Sequence, residues 1–119
     1  MFTIRDSQLQ AFRIDMRRQL TLRLADHLKT QFAAQARETE PAEMVRLADA
    51  TLEVGSKYGF EQEKDLRPLA EYVFVFGPQL DRREDTPWIR ETLGQEDLGP
   101  EEKLSRLDSF YMFSYRIGR

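Results

Sequence analysis

Tyr72-Val73-Phe74-Val75-Phe76-Gly77-Pro78 is the stretch on which the fold turns. β-Branched and aromatic residues favour a pleated strand, and five in a row would suit one buried on both faces. No second run of comparable quality is present to pair with it. Upstream, Leu66, Leu69 and Ala70 continue the apolar pattern at helical spacing, and Gly77-Pro78 makes a helix stop, glycine for the cap and proline to bar continuation. The tract therefore reads as the last turns of a helix with scarcely any polar face, buried all round. Asp65 as N-cap would place Pro68 at the third helical position, before any intrahelical donor is required.

Working outward, Asp6 or Ser7 is placed to cap a long first helix running to about Gln35. Leu9, Phe12, Met16 and Leu20 share one narrow face, and Leu24, Leu28 and Phe32 continue in steps of four. At about 3.6 residues per turn such steps rotate the stripe around the cylinder, so the two ends should meet different neighbours. Thr39-Glu40-Pro41 starts a second helix, with Val45, Ala48 and Leu52 on one face, Met44 and Leu47 beside them, and a stop near Gly55 or Lys57. Tyr58-Gly59-Phe60 should turn the chain and pack Phe60 across the next helix entry.

Downstream, residues 79–85 form a charged loop with Leu80 as its apolar anchor, and Thr86 caps a short helix with Pro87 first and Gly94 as stop. A last helix opens at Gly99-Pro100-Glu101-Glu102 and runs to Tyr115, its carboxylates complementing the positive helix end. It carries two apolar stripes. Leu104, Leu107, Tyr111 and Tyr115 form one; Phe110, Phe113 and Ile117 form another, either covered by the first helix, the favoured reading in so small a domain, or exposed to a partner. The expectation is one all-α domain over residues 1–119, a compact bundle of about five helices with a long N-terminal helix and a buried central one.

Composition narrows the function. The chain has no cysteine, which removes disulfides and thiolate chemistry, and it has no apolar run long enough to span a bilayer; a cytoplasmic protein without membrane contact is expected. Residues 1–38 hold seven of the 18 basic and four of the 21 acidic residues, leaving 11 and 17 for the remainder. A weakly basic first helix on an acidic body can steer a partner, but no concentrated basic surface speaks for nucleic acid. His27, the only histidine, reads as a surface hydrogen-bonding group. Carboxylate pairs such as Glu84/Asp85 and Glu101/Glu102 read as caps and solvated faces, and Ser7, Ser56, Ser105, Ser109 and Ser114 lie in no nucleophile motif. No enzyme, cofactor or metal site is expected. Trp88 is the one residue for which recognition competes with a docking role.

The pattern Ile4-Arg5, Gln8, Arg23, His27-Leu28, Tyr58-Gly59, Phe74-Val75-Phe76-Gly77-Pro78, Asp81 and Pro87-Trp88-Ile89 resembles small helical accessory proteins encoded in bacterial type VI secretion clusters, beside toxins and their loading chaperones. The resemblance implies a non-enzymatic adaptor or co-chaperone that binds a toxin or its chaperone, with Phe110, Phe113 and Ile117 as apolar anchors, Arg82 and Arg83 as polar rim, and Trp88 shaping the platform. Two alternatives stand beside it: an immunity protein presenting its acidic surface to a basic toxin, and a homo-oligomeric module burying the second stripe of the last helix against its own copy.

Overall fold

The structure, a computed structural model, describes the backbone of residues 2–113 and the side chains of residues 7–113. Its helices are α1 (Phe2–Gln31), α2 (Ala33–Ala36), α3 (Pro41–Tyr58), α4 (Glu63–Phe76), α5 (Pro87–Leu93) and α6 (Pro100–Met112), with a 3-10 turn at Leu80–Arg82. No strand occurs among the described residues. The Tyr72–Phe76 tract is helical, and the chain is an all-α bundle.

The central helix α4 is enclosed by α1, α3 and α6. Leu66, Leu69, Ala70, Tyr72, Val73 and Phe76 are buried, but Val75 is 49% exposed, so the expectation of burial all round fails at one position. Neighbours cover three sides of the cylinder, and Val75 points out between them. The helix also starts two residues before Asp65, with Gln62 at its N-cap. The amides of Asp65 and Leu66 both donate to the Gln62 carbonyl, at 3.0 Å, and Pro68 lies inside the helix, where the Lys64 carbonyl goes without its usual donor. Gly77, at φ +94°, takes a backbone conformation that side chains rarely adopt and ends the helix ahead of Pro78.

α1 starts at Phe2, leaving Asp6 and Ser7 inside it and not at its cap. Nothing in residues 2–5 breaks a helix, and a formed helix propagates through neutral residues. It breaks at Phe32 (φ −119°, ψ 50°), short of Gln35, where the Phe32 ring stacks on Phe74 at 4.2 Å. The stripe rotates as its spacing requires. Leu24 and Leu28 are wholly buried against α3 and α4, whereas Leu9, Phe12 and Met16 are exposed.

In α3, Met44, Leu47, Ala48 and Leu52 are buried and Val45 partly so. The stop lies at Gly59, at φ +86°, beyond both positions expected. Gly55 serves another purpose: a Cβ there would lie 2.7 Å from Leu66 Cδ2 and 2.9 Å from the Phe60 carbonyl oxygen, so its lack of a side chain lets α3 and α4 close up. Phe60 is buried at the turn as expected.

Two polar links hold α1 parallel to α4. Arg23 Nε donates to Glu63 at 3.0 Å, and His27 Nε2 lies 3.0 Å from Glu71 Oε2. Arg17 adds ion pairs to Asp49 and Glu53 on α3.

Candidate protein-binding surface

α5 is seated by Ile89 and Leu93, both wholly buried, and its position fixes Trp88 at the edge of the body. Thr86 sits at the N-cap, yet its hydroxyl accepts no first-turn amide; it is buried without a hydrogen-bond partner, and the Ile89 amide donates to the Thr86 carbonyl at 3.1 Å. The expected side-chain cap is therefore a backbone one.

α6 is locked along one face. Leu104 and Leu107 are buried, and Lys103, also buried, donates from Nζ to the Tyr58 carbonyl at 3.0 Å, setting a cation against the C-terminal end of α3. Tyr72 donates its hydroxyl to Asp108 Oδ1 at 2.5 Å, fastening α4 to α6. Burial first, and then the neighbouring Asp108 carboxylate, push the Tyr72 hydroxyl well above its ordinary pKa, so it remains a donor throughout the physiological range.

Beyond Leu107, α6 is open on every side, residues 108–113 all being exposed. Phe110 and Phe113 are exposed, Phe113 to 68%, which overturns the favoured expectation that this stripe is core. Ile117 and Tyr115, expected to extend the two stripes, lie outside the described residues. Trp88 and Phe110, 22 residues apart in sequence, stack with ring centroids 6.0 Å apart. Trp88 also meets Phe76 edge-on at 5.8 Å, and Tyr111 meets Phe76 and Tyr72 at 6.1 and 6.4 Å. The result is an aromatic ridge, buried at Phe76 and exposed at Phe110.

The two arginines divide. Arg82 is exposed on the 3-10 turn. Arg83 is tied into the fold: it donates to Asp85 through Nε and Nη2, at 2.9 and 2.6 Å, and to the Phe76 carbonyl through Nη1 at 3.0 Å, with its guanidinium 5.5 Å from the Phe76 ring centre. It shapes the base of the ridge. Asp81, which the sequence places in a charged loop, is instead buried and accepts from Lys57 Nζ at 2.8 Å and from the Tyr58 hydroxyl at 2.6 Å. Burial works to raise its pKa, but the hydrogen bonds from Lys57 and Tyr58 prevail and hold it below the usual aspartate value. The Tyr58-Gly59 turn was visible in the sequence, but its pairing with Asp81 depends on tertiary structure.

Among the described residues, no three His, Cys, Asp or Glu side chains converge as a metal site. No helix among them is long and apolar enough to cross a membrane. Set against protein-family models, characterised proteins and solved structures, the chain matches none.

Proposed function

We propose that this chain is a non-enzymatic adaptor that binds a secretion toxin or the toxin's loading chaperone. The contact surface in this reading is the exposed last turn of α6, with Phe110 and Phe113 as anchors, Trp88 stacked beneath Phe110 and Arg82 at the rim. One observation carries the binding role: the aromatic side chains of Phe110 and Phe113 are exposed on the last turn of a helix whose earlier turns are fastened by Lys103, Leu104 and Leu107. A rigid element presenting exposed aromatics is the arrangement that recognition anchors need. The nature of the partner comes from the resemblance to type VI accessory proteins.

Affinity purification at native level from the host, with mass spectrometry of what co-elutes, tests both parts. Recovery of a secretion toxin or its chaperone is expected, and Phe113→Asp should abolish it while leaving helicity and stability within about 0.5 kcal/mol of the parent, as for an exposed site. Leu107→Ala, on the locked face, should instead cost about 2–5 kcal/mol. Unchanged toxin abundance and export after deletion of the gene would refute the adaptor reading. Loss of toxin activity in a stoichiometric mixture would convert it to an immunity role.

A further inference from the structure

α1 leaves the body as an arm. Every residue from 7 to 19 is exposed, although Leu9, Phe12 and Met16 repeat at spacings of three and four and Phe12 is 62% exposed. Among the ion pairs of the described residues, the one nearest the start of α1 is that of Arg17 with Asp49 and Glu53, and at 100° per residue the Leu9-Phe12-Met16 stripe faces well away from it. With Arg17 paired to the body, Arg13 and Arg18 against the single Asp15 leave residues 7–19 basic.

At the opposite end of α1 lies a groove of about 330 Å³ between α4 and α6. Phe32, Tyr72, Val75 and Tyr111 supply apolar walls, and Glu71 and Asp108 put two carboxylates on its margin. Glu71 also meets His27, and Asp108 accepts from Tyr72; among the described residues, no lysine or arginine lines the groove. Aromatic faces beside carboxylates suit a cation carried on an apolar helix.

We infer that the chain forms a two-fold dimer in which the α1 arm of each copy lies in the α4/α6 groove of the other. Charge selects the occupant: a basic apolar arm meets an acidic apolar groove, whereas arm against arm would oppose like charges. Area selects the symmetry. One contact made by three apolar side chains falls short of the roughly 1,200 Å² of a stable interface, and an antiparallel pairing makes two such contacts at once. Arm and groove stand at opposite ends of α1, a helix about 45 Å long at 1.5 Å per residue, so antiparallel copies bring both pairs into register and close the assembly.

Light scattering on the eluting full-length chain tests this. The parent is expected at twice its 14.0 kDa chain mass. Phe12→Glu on the arm and Val75→Arg in the groove, both at exposed positions, should each run as monomers with the parent's circular dichroism. An equimolar mixture of the two should regain the doubled mass, because one contact is then intact and the other sets the carboxylate introduced on the arm against the guanidinium introduced in the groove, so that both contacts are again complementary. Phe113→Asp should remain dimeric, which separates this assembly from the adaptor surface. A monomeric parent, a dimeric Phe12→Glu or Val75→Arg variant, or a mixture that stays monomeric would each overturn the proposal.

Discussion

Asp81 shows how a single buried charge can be held in a protein of this size. Its carboxylate is nearly closed off from solvent and survives there because Lys57 and Tyr58 both donate to it, tying the 3-10 turn to the end of α3. Asp81→Ala strips the Tyr58 hydroxyl of its acceptor and should destabilise the fold by about 1–3 kcal/mol, read from urea unfolding at pH 7. The pH dependence has a definite sign. A carboxyl whose pKa falls on folding adds stability above its unfolded value, about 3.9, and that stability is lost as pH falls through the folded value. The gap between parent and Asp81→Ala should therefore be constant from pH 7 to about 5 and narrow below about 3.9. A gap that widens in acid would contradict the pairing. In sequence, Asp81 is one of several charges in a loop; only Leu80 beside it signals an anchor. Its partners lie more than twenty positions away, beyond the reach of any local pattern.

Among the elements, the ones legible from sequence are those whose apolar period matches a single burial face. α3 is the plain case: Met44, Leu47, Ala48 and Leu52 recur at helical spacing, and all are buried. α4 is legible through its terminator, since Gly77-Pro78 decides between helix and strand where composition alone points to strand. Val75 and the Gln62 start are not, because exposure of one residue depends on where three neighbouring helices leave a gap, and a helix start depends on which backbone groups find partners. The sequence marks Gly55 as a helix stop, whereas in the fold its absent side chain permits the close approach of α3 and α4. Gly55→Ala should meet Leu66 and the Phe60 backbone and cost about 1–3 kcal/mol by overpacking, although alanine is the better helix former by about 1 kcal/mol. Thermal unfolding decides it: a raised midpoint would mean that α3 and α4 can separate without loss. For the candidate surface, the α6 periodicity revealed two stripes in the sequence, and only packing could say which was core. The ridge of Phe76, Trp88 and Phe110 joins three helices and has no sequence spacing from which to be read.

Viewed whole, the molecule measures 62 × 39 × 23 Å, elongated for 119 residues. The rotating stripe of α1 accounts for part of that length, since a helix whose apolar face turns away from the body cannot fold back onto it without exposing Leu24 and Leu28. An isolated helical segment shorter than about 12–15 residues is marginal in water, so an arm held to the body, among the described residues, by the Arg17 ion pairs draws the rest of its stability from continuity with the buried half. In the monomer its amides should open at low free energy, while those of residues 20–31 open only with the body. Pairing through the α4/α6 groove changes that ranking. Amide hydrogen exchange on the parent at two concentrations, below and above the dimer transition, should show fast exchange over residues 8–17 when dilute and marked slowing when concentrated, with residues 20–31 slow in both. Phe12→Glu should keep the arm fast at either concentration. Equal protection of arm and body in dilute parent would mean that contacts within one chain already hold the arm, removing the reason for a second copy to cover it.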